Sequence, residues 1–221
     1  MIGSELNRRA VRAGLIGAVA LVYLALAGMI QKFDGRNLIG SFLTLGNLLM
    51  ALPPLLTGYL ATRPRLVAGR REAAGPRAAL TTGLIGGAIV GGLTAAGVAL
   101  VEALPEGAVR RIFIQVSPEL LSTLTFGRGV PAGLALLLVY GAVLGLLGAG
   151  FRLLPARIGR PAGVGLAVTL TFALLQRIFP PLLFELGLDT RWLYSPILLG
   201  LTVPGALVVF AVSAGLTALW S

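Results

Sequence analysis

Three groups of residues in this chain have types and spacings that bear on chemistry. Gln176, Arg177 and Glu185 surround Pro180-Pro181 in an apolar run. Pro53-Pro54-Leu55-Leu56, in an earlier run, is echoed by Pro180-Pro181-Leu182-Leu183. A proline inside a helix removes an amide donor and frees a carbonyl that can face a cavity. If Arg177 sits in hydrocarbon it needs a partner, for which Glu185 is the candidate. If the run ends near Phe179, both charges are interfacial and snorkel to water, and this is the favoured reading, since a Pro pair ends a helix as easily as it kinks one. Asn47, Thr44 and Thr57 form the third group. They bond across helices or contact a substrate, and bonding between helices is the commoner use.

Other chemistry is excluded by composition. The chain has neither cysteine nor histidine, which rules out disulfides, thiol catalysis and histidine-ligated metal or haem. It carries no phosphate-binding Gly-Lys-Ser/Thr loop, so any ATP hydrolysis belongs to another protein. No facing pair of acids stands out. The expectation is a protein that is not an enzyme, with no catalytic residue, cofactor or metal.

The elements that position these residues follow from hydropathy. Hydrophobic residues make up 57% of the 221 and charged residues 12%, and the mean hydropathy is +0.93. A soluble core inside a polar shell is not available to such a chain. Six apolar runs, 11–30, 41–62, 79–104, 130–154, 163–188 and 196–220, are each long enough to cross a bilayer, which takes roughly 20 residues. They are continuous rather than alternating, which selects helices over a barrel. The expected fold is all-α: a single transmembrane domain, 1–221, of six helices. The first run follows an arginine-rich start but is longer than a signal-peptide core, and is read as a retained helix.

The distribution of charge sets the expected orientation. The segments before the first run, between the second and third, and between the fourth and fifth, counted with Arg12 and Arg152 at the adjoining ends of their runs, hold 11 basic and two acidic residues; the remainder of the chain holds seven basic and six acidic. This is the positive-inside pattern of a bacterial inner-membrane protein with both termini cytoplasmic. The net charge of +10 is thereby assigned to topology and contact with membrane lipid rather than to nucleic acid.

Two patterns concern packing. Gly83, Gly87 and Gly91 recur every four residues in the third run, and Gly141 and Gly145 do so in the fourth. Such stripes let helices approach closely. Ser117-Pro118-Glu119 has the form of a helix start, followed by Leu120, Leu121 and Leu124, and predicts a short amphipathic helix on the outer membrane face. The two Pro pairs each occupy the middle run of three, so halves 11–104 and 130–220 are candidates for an inverted repeat, with a shared substrate or helix-break region at Asn47, Pro53, Pro54, Arg177, Pro180, Pro181 and Glu185.

Two stretches carry a resemblance. Lys32-Phe33-Asp34-Gly35-Arg36-Asn37-Leu38-Ile39 leads into Leu43-Thr44-Leu45-Gly46, and Ile114-Gln115-Val116-Ser117-Pro118-Glu119-Leu120-Leu121 leads into Leu124-Thr125-Phe126-Gly127. Together they resemble the membrane region that precedes the permease core in some bacterial branched-chain amino acid ABC transporter permeases; the core itself does not follow in this chain. The resemblance implies a non-catalytic membrane subunit or region of an importer, with other membrane subunits and a separate ATPase as partners. The alternatives are a structural or assembly subunit of another membrane complex and a small secondary carrier.

Overall fold

A computed structural model describes residues 2–63, 65–67, 70–72, 75–105, 117–185, 187 and 202–220; for 2–6, 65–67, 70–72 and 176–184 it describes the backbone alone. The helices among these residues are α1 (Ile2–Leu26), α2 (Met29–Asp34), α3 (Leu45–Ala61), α4 (Pro76–Ala103), α5 (Pro118–Leu124), α6 (Val130–Leu153), α7 (Ala156–Glu185) and α8 (Val203–Leu219). Two antiparallel hairpins join them: β1 (Asn37–Ile39) with β2 (Leu43–Thr44), and β3 (Arg65–Val67) with β4 (Arg70–Glu72).

All six apolar runs contain helix, and the fold is mostly α-helical. Among the described residues four helical segments are long and apolar enough to cross a membrane: Asn7–Leu26, Pro76–Ala103, Val130–Leu153 and Ala156–Leu175. α3 and α8 have 17 residues each, the short end of the usual range for a span. The basic connection expected around Arg152, Arg157 and Arg160 shrinks to Leu154 and Pro155. Arg157 and Arg160 belong to α7, because the Pro155 carbonyl already accepts from the amides of Ile158 and Gly159, both at 2.8 Å. The basic loop between α3 and α4 contains the β3–β4 hairpin, with Val67 opposite Arg70.

The chain divides into two compact units, 1–34 with 46–153, and 35–45 with 154–221. This division does not follow the expected halves, since α6 belongs to the same unit as α1, α3 and α4. In the first unit successive long helices reverse direction. Ala13 faces Thr57 and Gly17 faces Pro53 across α1 and α3. Gly83 faces Gly145, and Gly91 faces Leu137, across α4 and α6. α1 and α4 run parallel, with Ala10 near Gly86 and Gly17 near Val90.

The α4–α6 seam explains the glycine stripes. Buried positions on α4 fall at Ala79, Thr82, Gly83, Gly86, Gly87, Val90, Gly91, Thr94, Ala95 and Val98, alternate steps of three and one that keep one face inward. A β-carbon placed on Gly87 would land on the Gly141 carbonyl oxygen and 2.8 Å from the Gly145 α-carbon; one on Gly141 would lie 2.8 Å from the Gly91 nitrogen. Backbone therefore touches backbone. Five glycines from Gly83 to Gly92 would cost an aqueous helix about 1 kcal/mol each. The close backbone packing along the seam is what offsets that cost. α3 joins the seam through Gly58, against Gly145, and through Gly148 of α6, against the Leu55 carbonyl.

In the second unit α7 packs against α8. Gly165 admits the Phe210 ring, with its missing β-carbon position 3.0 Å from the ring edge, and the Thr202 hydroxyl caps α8 by accepting from the Gly205 amide at 3.3 Å. β1 lies against α7, and Leu38 within it is fully buried.

Candidate functional site

The two ends of the first unit differ in chemistry. At one end, which we call the basic end, the N-termini of α1 and α4 and the C-termini of α3 and α6 gather Arg8, Arg9, Arg12, Arg63, Arg77 and Arg152. The Arg9 guanidinium donates to the Arg63 carbonyl at 3.4 Å. Arg152 donates to the Tyr59 hydroxyl oxygen at 3.1 Å, with its guanidinium carbon 5.3 Å from the centre of that ring, and Phe151 lies beside the same ring at 6.4 Å. Arg8, Arg12 and Arg77 are exposed. No carboxylate side chain lies at this end among the described residues; Glu5 and Glu72 are its acids in the sequence.

The opposite end is a cap built from α2, α5 and the ends of the long helices. Ser117 starts α5 as its sequence predicts: the hydroxyl accepts from the Leu120 amide at 3.2 Å and Pro118 occupies the first turn. The Ser117 hydroxyl, and then its own amide, hold the exposed Glu119 carboxyl below its ordinary value of 4.5. The placement of α5 differs from a helix resting on a membrane face. Leu120 and Leu124, one turn apart, are buried among Leu21, Ala25, Ile30, Met50, Val98 and Leu137. With only seven residues, α5 has room for one apolar pair, and the helix ends beneath it take that pair up.

The cap joins the two stretches that carry the resemblance. The Thr123 hydroxyl donates to the Asp34 carboxylate at 3.3 Å, linking α5 to α2. Gly46 packs on the same residue, its missing β-carbon position being 2.6 Å from the Asp34 α-carbon and 2.7 Å from the Ile30 carbonyl. Behind α5 the chain turns through Phe126, Gly127 and Gly129, all with positive φ, and the Phe126 ring meets Tyr140 edge-on at 5.3 Å. A left-handed φ of 55° at Phe126 is a strained conformation for a bulky residue. Residues 114–116, which open the second of the two stretches, lie outside the described residues.

The residues of the candidate substrate region divide between the two compact units. Pro53 and Pro54 are buried, yet α3 runs on through both. Their missing amides leave the carbonyls of Leu49 and Met50 without helical donors, and Gly17 of α1 closes on the Pro53 carbonyl. Thr57, one turn on, donates to the Ala13 carbonyl at 3.3 Å and so acts as a bond between helices. Asn47 is exposed in the first turn of α3. α7 likewise continues through Pro180 and Pro181 to Glu185, past the end expected near Phe179. Arg177 and Glu185 are then separated by a rise of about 12 Å along one helix, well beyond the neighbouring-turn spacing of a helical ion pair. The side chains of Arg177, Pro180 and Pro181 lie outside the described residues, Glu185 is exposed, and the two Pro pairs fall in different compact units.

The geometry of this first unit suits packing and surface contact. Among the described residues no group of three or more metal-ligating side chains occurs. Sequence reasoning missed the Asp34–Thr123 bond, the stacking of Arg152 on Tyr59, and the entry of Gly58 and Gly148 into the seam. Of these, Gly148 alone left a trace, lying three residues beyond Gly145 on the same helix face. The chain matches no protein-family model, no curated protein and no solved structure.

Proposed function

We propose that the chain is a six-span protein of the bacterial cytoplasmic membrane with both termini cytoplasmic, and that it serves as a non-catalytic membrane subunit or region of an ABC-type importer, for branched-chain amino acids by the resemblance. A separate ATPase and further membrane subunits are its partners in this reading. The observation that carries it is the Asp34–Thr123 bond, together with Gly46 packed on Asp34. Residues 32–46 and 114–127 supply the resemblance, and these contacts tie their ends into one cap. The orientation draws on the six arginines at the opposite end, which the positive-inside rule puts in the cytoplasm.

A structural or assembly subunit of another membrane complex is the second reading, favoured by a seam of backbone contacts that requires no solute. The carrier reading has less behind it, since both Pro-containing helices are continuous. Affinity purification of the full chain from native membranes separates these. Recovery of a permease core and an ATPase supports the importer; recovery of a different complex without either contradicts it.

A further inference from the structure

The first unit contains an apolar groove that the proposed function does not use. Its upper part is a hollow of ≈ 190 Å³ between α1, α4 and α5, lined on α1 by Val22, Ala25 and Leu26, on α4 by Gly97 and Val98, and roofed by Leu120 and Leu124. A second hollow continues from it along α1 and Leu93 of α4, and the two share Val22 and Leu26. The polar side chains lining them are Thr94, whose hydroxyl is already committed to the Val90 carbonyl at 2.8 Å, and the exposed Tyr23 of the second hollow, which presents an apolar ring with one hydroxyl at its tip. At the floor of the upper hollow Gly97 faces open space: a β-carbon there would meet nothing within 4 Å.

We infer that this groove binds one acyl chain of a membrane phospholipid. The inference rests on the membrane reading above, since α1 and α4 are then spans and the groove opens sideways into hydrocarbon. Shape selects the occupant. From Ala18 to Leu26 the groove's lining follows α1 for about 12 Å, an elongated track that suits a linear chain rather than a compact ring. A sealed apolar cavity of about 150 Å³ holds one benzene, so the upper hollow alone takes several methylenes. The attraction is dispersion against walls that would otherwise face a void. The charged side chains nearest this end, Lys32, Asp34, Glu102, Glu119 and Arg128, are of mixed sign, and none lines the groove. The site therefore reads the tail and is indifferent to the headgroup.

The test is native mass spectrometry of the full chain in mild detergent, delipidated and then given dioleoyl phosphatidylcholine or dioleoyl phosphatidylglycerol. One lipid should be retained per chain with either headgroup. Gly97→Leu should lower retention about tenfold, the worth of some ten lost carbon contacts, while Gly215→Leu, the same change at another open helical glycine, should leave it unchanged. Gly97→Val, which fills less of the groove, should fall between and serves if the leucine variant does not fold. Undiminished retention by a folded Gly97 variant overturns the inference, as does retention of the anionic lipid alone. Recovery of the chain in the soluble fraction of lysed cells would instead overturn the membrane reading beneath it, so the two failures are distinguishable.

Discussion

Glycine lines both the α4–α6 seam and the α1–α4 groove, and the two places use its missing side chain in opposite ways. At Gly87 the space a β-carbon would take is filled by the Gly141 carbonyl; at Gly97, less than three turns along the same helix, it is empty. The seam is held by backbone that cannot rotate away, whereas the groove is a vacancy that a neighbour can enter. A helical glycine is thus defined by what faces it, and only the opposing helix decides whether it fastens the bundle or opens it.

The sharpest way to break this comparison is to place the same side chain at both positions. Gly87→Leu forces α4 and α6 apart and is expected to destabilise the chain by about 3 kcal/mol, the upper part of the usual range for overpacking. Thermal unfolding in detergent measures it, and Gly141→Leu should behave alike. A melting curve like that of the parent chain would show that the seam does not hold the bundle.

Next in size is Ser117→Ala. It removes the hydroxyl that caps α5 and should cost about 1 kcal/mol, seen as faster amide exchange across Pro118–Leu124. Since Leu120 and Leu124 roof the groove, this change should loosen the groove while leaving exchange in α4 and α6 as it was. Equal acceleration in all three helices would mean that seam and cap are not independent.

The legibility of the sequence follows the same division. The period of four at Gly83, Gly87 and Gly91, with Gly141 and Gly145, announces close packing because spacing along one helix fixes which residues share a face. Ser117-Pro118-Glu119 announces a helix start because capping is local. Neither kind of signal extends between helices. That Gly58 meets Gly145, that Asp34 bonds Thr123, and that Gly97 is left uncovered depend on how separate helices are set side by side. The prolines misled for a related reason. Pro53-Pro54 and Pro180-Pro181 look like breaks, but the cost of one or two lost hydrogen bonds is borne by the turns on either side, and both helices continue.

Smaller in effect is Gly97→Leu on stability itself, expected within about 0.5 kcal/mol of the parent, as for substitutions that meet no neighbour. A loss near that of Gly87→Leu would make the groove a packed interface. Smallest of all is the pH response of the cap. The Glu119 carboxyl is held below 4.5 in the folded chain by the Ser117 hydroxyl, so its contribution is present above the unfolded value and is lost as pH falls through the folded one. Protection factors of the α5 amides, with the intrinsic pH dependence of exchange divided out, should fall on acidification below about pH 4.5, and Glu119→Gln should remove that dependence.

The central claim is that the basic end of the first unit faces the cytoplasm and the cap faces outward. The chain has no cysteine, so single cysteines report without background. Arg77→Cys at the basic end and Ser122→Cys on the cap are both exposed positions. A membrane-impermeant maleimide should label Ser122→Cys in intact spheroplasts and Arg77→Cys only in inverted vesicles or after permeabilisation. Labelling of both from the same side would contradict the topology and the function proposed from it.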